Sequence, residues 1–158
     1  MNLSKIFKNA LLVMLASLVL TACATKKVQN QMQGDVYTGT DTVKYLASGV
    51  ADRVFFATNE SVLTTASRDT LRKQAEWLRK NSKINVVLEG HADERGTREY
   101  NLALGERRAN AAKDYLMTYG VSGKRITVIS YGKEKPVNPA SSPLAWSQNR
   151  RSVTVKTN

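Results

Sequence analysis

Apolar positions change period several times along the chain, and each change marks an element. Residues 53–57, RVFFA, form a mostly apolar run of the kind a central strand carries, and Thr58-Asn59-Glu60-Ser61 turns the chain. Residues 63–81 follow a helical period: Leu71, Ala75 and Leu78 share one face, Arg68, Arg72, Arg79 and Lys80 mark the wet side, and Trp77 sits at the border. Ile84, Val86 and Leu88 then alternate with Asn85, Val87 and Glu89, predicting a second strand that runs into Gly90.

The loop His91-Ala92-Asp93-Glu94-Arg95-Gly96-Thr97 hands that strand over to a helix over residues 99–119. Gly96 suits a tight reversal with positive φ, and Thr97 is placed to accept from the first free helical amides. The expected core stripe is Leu104, Ala111, Ala112, Tyr115 and Tyr119, and Gly120 ends the helix. Arg108 falls inside that stripe. At about 100° per residue it lies between Ala111 and Ala112, where a guanidinium is costly unless a carboxylate or a ligand meets it. Asp93, at the strand-to-helix loop, is the nearest candidate partner; from spacing alone a structural pair fixing loop to helix, or an arginine snorkelling to the rim, is the simpler account.

Residues 125–131, RITVISY, read as a third strand and residues 152–156, SVTVK, as a fourth, with a short helix near residues 144–149 between them. The order β-α-β-α-β-(short α)-β predicts a two-layer α+β domain: a mixed four-stranded sheet with helices on one side.

The first 22 residues stand apart. Lys5 and Lys8 precede an apolar run at residues 10–20 that is short for a membrane span, and small residues end it at Thr21-Ala22-Cys23. This predicts a signal peptide over residues 1–22 and lipidation of Cys23, the single cysteine of the chain. Residues 23–51 show no stable period and read as a lipidated N-terminus and flexible tether, with residues 43–46 a candidate short element against the domain; residues 52–158 form the domain itself.

The formal charge is +11 at pH 7, of which Lys5 and Lys8 supply two, so anionic partners are favoured. Export argues against nucleic acid among them. Enzyme chemistry finds little support: His91 is the only histidine, and neither a Gly-x-Ser-x-Gly elbow nor a phosphate-binding Gly-x-x-x-x-Gly-Lys loop occurs. Glu89, His91 and Asp93 alternate but make a weak metal set, and His91 is expected instead to hold the loop by hydrogen bonds. No catalysis, metal or cofactor is expected.

The motifs Gly90-His91-Ala92-Asp93-Glu94-Arg95-Gly96-Thr97, Tyr100-Asn101 and Leu104-Gly105-Glu106-Arg107-Arg108-Ala109, followed by Ser130-Tyr131-Gly132-Lys133-Glu134-Lys135-Pro136 and Asn149-Arg150-Arg151, resemble the OmpA-like family of cell-wall-binding domains. Leu20-Thr21-Ala22-Cys23 resembles the lipobox of bacterial lipoproteins, and Ala24 after it resembles the pattern that permits transfer to the outer membrane. The resemblance implies a noncatalytic binder of the peptidoglycan peptide stem that recognises diaminopimelate. By it, Asp93 takes the ligand ammonium, Arg108 holds the carboxylate, and Thr97, Asn101 and Leu104 line the pocket. It also implies TolB and other Tol-Pal components as partners, and a role in envelope integrity and cell division. Asn59 and residues 140–146, ASSPLAW, depart from the family pattern, which bears on partners that read this rim.

Overall fold

The computed structural model describes residues 35–157. The expected signal peptide, Cys23 and the first part of the expected tether lie outside the described residues. No described helix is long and apolar enough to cross a membrane.

The elements run β1 (Tyr45–Ala47), β2 (Val50–Ala51), β3 (Arg53–Phe55), α1 (Thr65–Lys80), β4 (Val86–His91), α2 (Arg98–Thr118), a 3-10 turn (Gly123–Arg125), β5 (Ile126–Gly132), α3 (Pro143–Asn149) and β6 (Arg151–Lys156). The larger sheet has the order β3-β6-β4-β5. β6 is antiparallel to both β3 and β4, and β4 and β5 are parallel, so the sheet is mixed as expected. The fold is α+β.

Strand alternation sets the layers. Val54, Val86 and Leu88 join Leu71, Ala75 and Leu78 of α1 and Ala109, Ala112 and Leu116 of α2 in one core. Each helix starts at a hydroxyl cap: Thr64 accepts from the Ser67 amide, Thr97 from Tyr100 and Ser142 from Ala145.

Two details differ from the sequence pattern. The buried face of α2 is carried by Leu104, Gly105, Ala109, Ala112 and Leu116, while Ala111, Tyr115 and Tyr119 are half-buried at its border. The cause is a close approach that rotates the helix: a Cβ on Gly90 of β4 would fall 1.8 Å from the Gly105 carbonyl oxygen, and one on Gly105 would fall 2.4 Å from Ser130 Oγ. Helix α2 therefore rests backbone to backbone on β4. The second detail is that structure before the domain extends beyond the short element expected at residues 43–46. β1 and β2 form a small antiparallel hairpin, and Tyr37 and Leu46 are buried, with Tyr37 edge-on to Phe55 at 4.8 Å.

Candidate functional site

The Gly90–Gly105 contact fixes where Arg108, one turn further along α2, delivers its guanidinium. It meets the two loops that leave β3 and β4. Nε donates to the Glu60 carbonyl at 2.8 Å, Nη2 to Ala57 at 2.9 Å and Nη1 to His91 at 2.9 Å. The group is fully buried and lies 5.3 Å from the centre of the Phe56 ring. Burial, with the Arg150 charge in the same sense, lowers Arg108 to about 10 against the opposing pull of Asp93. Asn59, between two of the accepting carbonyls, has a φ of 58°, a conformation asparagine tolerates better than most residues.

Asp93 does not hydrogen-bond Arg108, contrary to the pairing expected from the helical spacing. Its Oδ1 accepts from the Arg95 amide at 3.1 Å and Arg95 Nε at 3.0 Å, and its Oδ2 from Arg95 Nη2 at 2.7 Å and Arg150 Nη1 at 3.4 Å. Three backbone carbonyls stand closer to Arg108 and take its donors, leaving the carboxylate to the flanking arginines. Burial raises the Asp93 carboxyl, but these bonds and charges outweigh it and hold it below the ordinary carboxylate value. Arg95 is raised in turn, first by its hydrogen bonds to Asp93.

The other three expected site residues shape the loop. Thr97 caps α2, the Asn101 side chain donates to the Arg95 carbonyl at 2.8 Å, and Leu104 is buried beneath. Gly96 takes the positive φ its position demands, 88°. Asp93, Thr97, Asn101, Leu104 and Arg108 thus lie on or under one loop, with Arg108 recessed.

Further side chains complete the cluster, and Arg150 pairs with acidic groups as its place before the last strand suggests. Arg150 is almost fully buried and donates to the Phe56 carbonyl at 3.0 Å and to Asp35 Oδ1 at 3.0 Å, besides Asp93. Arg95 lies over Trp146 at 4.3 Å, Trp146 Nε1 donates to Glu94 at 2.8 Å, and the Ser141 hydroxyl donates to the same carboxylate. Lys133 Nζ donates to the Gly96 and Glu94 carbonyls at 2.7 and 3.1 Å. The segment at residues 140–146 thus braces the loop. The sequence motifs held these residues, but the contacts of Arg95 and Glu94 with Trp146 were not legible in them.

His91 corrects an expectation. Its ring is buried against Tyr131, its nitrogens make no hydrogen bond among the described residues, with Glu89 Oε2 3.6 Å from Nε2, and it is the main-chain carbonyl that holds Arg108. Burial, then the charges of Arg151, Arg53 and Lys135, lower it to about 3, so the ring is neutral at physiological pH. Among the described residues no group of three or more His, Cys, Asp or Glu side chains could hold a metal ion.

The arrangement is a recessed ionic cluster on the turns that follow β3 and β4. A sequence profile of the OmpA family matches residues 55–150. The chain is 43% identical to the peptidoglycan-associated lipoprotein of Mesorhizobium japonicum, over 92% of this chain and 89% of that protein. It is 45% identical to that of Brucella melitensis, over 88% and 86%. The crystal structure of the peptidoglycan-associated lipoprotein from Burkholderia pseudomallei superposes with a TM-score of 0.66 at 35% identity, covering 67% of this chain and 90% of that one. The C-terminal domain of Helicobacter pylori MotB shares the fold at a TM-score of 0.63 and 19% identity, covering 68% and 84%. The chain belongs to the OmpA family and, within it, to the peptidoglycan-associated lipoproteins. Its role is structural and non-catalytic.

Proposed function

We propose that this chain is an outer-membrane lipoprotein, anchored through Cys23 with its domain facing the periplasm, that holds the membrane to peptidoglycan without a covalent bond. Its ligand is the diaminopimelate-containing peptide stem. The far end of that residue carries an ammonium and a carboxylate on one carbon.

The observation that carries this reading is the unequal exposure of the Asp93 ion pair: the Asp93 side chain is 9% exposed and that of Arg95 42%. A ligand ammonium replaces the exposed partner and leaves the buried one in place. Arg108 uses three N–H donors on carbonyls, and a guanidinium has five. Once Arg95 and the rim have moved, the remaining two meet the ligand carboxylate, while Thr97, Asn101 and Leu104 shape the pocket wall. Lysine, which replaces diaminopimelate in other cell walls, offers the ammonium alone. A charge-assisted hydrogen bond is worth about 1.5–3 kcal/mol, so discrimination of roughly 10- to 100-fold follows.

Sedimentation of the chain from residue 24 onward with insoluble peptidoglycan tests this. Co-pelleting with diaminopimelate walls and not with lysine walls is expected; equal pelleting with both contradicts the assignment. We further propose TolB and other Tol-Pal components as protein partners, serving envelope integrity and cell division, on the resemblance of the loop motifs. TolB and peptidoglycan then compete for the loop face, and simultaneous saturation of the chain by both overturns that part.

A further inference from the structure

Residue Asp35 belongs to the tether, yet its carboxylate is held as a bound ligand is held. Oδ2 accepts from the Thr58 backbone amide at 2.7 Å, and Oδ1 accepts from Arg150 Nη2 at 3.0 Å. The Asp35 carbonyl accepts from the same Nη2. The two donors are unlike in kind and come from distant parts of the chain. The Thr58 amide lies in the turn after β3 whose neighbouring carbonyls, at Ala57 and Glu60, receive Arg108. Arg150 is only 2% exposed and also reaches Asp93. Arg95, the second cation on Asp93, reaches Thr58 Oγ1 at 3.3 Å.

We propose that the Thr58 amide and the Arg150 guanidinium form a carboxylate-binding subsite beside Asp93, which the chain fills with its own Asp35 until a ligand carboxylate displaces it.

Three features support this. The Asp35 side chain is 49% exposed whereas its guanidinium partner is 2% exposed, so the anion is the member that can leave. A bare backbone amide and a buried guanidinium are donors that any carboxylate satisfies equally well. Burial raises the Asp35 carboxyl, but the Thr58 bonds and the Arg150 and Arg95 charges outweigh it, so the occupant stays ionised. Use of the subsite by a peptidoglycan stem rests on the function proposed above; its existence does not.

The test follows the Thr58 amide resonance in the chain from residue 24 onward, wild type and Asp35→Ala, titrated with acetate and with a diaminopimelate stem. Acetate produces a saturable shift in Asp35→Ala, and an apparent affinity about tenfold weaker in wild type, because the tethered carboxylate competes at high effective concentration. The same response of both proteins to acetate, including none in either, overturns the subsite. The stem binds Asp35→Ala more tightly than wild type; equal affinities overturn the stem's use of the subsite. Acetate separating the two proteins while the stem binds neither leaves the subsite standing and removes the peptidoglycan reading.

Discussion

Arg95 and Asp93, two residues apart on one loop, form a forked ion pair, with Nε 3.0 Å from Oδ1 and Nη2 2.7 Å from Oδ2. The fork closes over a carboxylate that Arg150 also holds from within the fold. Arg95 is the exposed member of this pair, and under the proposed function it is the one that a ligand ammonium replaces.

Replacing Arg95 exposes the Asp93 carboxylate. In Arg95→Ala the stem no longer competes with an internal cation, and its affinity rises, while stability falls by less than about 1 kcal/mol because the pair is open to solvent on the arginine side. Trp146 reports the same event, since Arg95 lies 4.3 Å above its ring. Intrinsic fluorescence changes on stem binding in the wild type, and Trp146→Phe abolishes most of the change. An unchanged spectrum at saturation places Arg95 outside the binding event.

Arg108 is a different kind of arginine. Its removal leaves the carbonyls of Ala57, Glu60 and His91 without their donor in a buried place. Arg108→Ala is expected to cost about 3–5 kcal/mol in denaturant unfolding. Arg108→Lys recovers only part of this, because one ammonium does not span three carbonyls on two loops. A loss within about 0.5 kcal/mol contradicts the stitching role.

The buried ring of His91 makes stability depend on pH. Its folded value, about 3, lies below the ordinary 6.5, so the neutral ring is what the fold accommodates. The contribution is complete above pH 6.5 and is lost as pH falls from 6.5 toward 3, at up to about 1.4 kcal/mol per pH unit. Asp93 adds a loss of the same sign lower down, since its depressed carboxyl protonates only below the ordinary 3.8. Unfolding free energies of wild type and His91→Phe between pH 7 and 4 separate the two effects. A His91→Phe curve parallel to wild type contradicts the assignment.

Sequence pattern predicted the four-stranded sheet, both long helices and the residues of the loop, because strand alternation and helical period are local. It also singled out Arg108 as a cation on a buried stripe. The partner was not legible: a side chain can be matched to another by helical spacing, but the carbonyls at residues 57, 60 and 91 carry no residue identity. The rotation of α2 was hidden for a related reason. Glycine has no side chain to add to an apolar stripe, yet the absent Cβ atoms of Gly90 and Gly105 decide which face is buried. The Asp35 contact spans 115 residues to Arg150, and the polar run around it has no period to mark it as attached.

That close approach is itself testable. Gly105→Ala sets a methyl 2.4 Å from Ser130 Oγ and 2.9 Å from the Gly90 carbonyl, so α2 must lift from β4. A loss of about 1–3 kcal/mol is expected, with weakened stem binding as Arg108 shifts. Ser130→Ala in the same chain removes the nearer obstacle and recovers part of the loss. Wild-type stability in Gly105→Ala contradicts the packing described.

The central claim is recognition of an ammonium and a carboxylate together, and calorimetric titration tests it most directly. The chain from residue 24 onward is titrated with a diaminopimelate stem and with the matching lysine stem, beside Asp93→Asn with its folded-state spectrum checked. Saturable binding of the first, at least about tenfold weaker binding of the second and loss in Asp93→Asn are predicted. Equal affinity for the two stems, or no binding by a folded wild type, contradicts the account and returns Asp93 and Arg108 to a purely structural role.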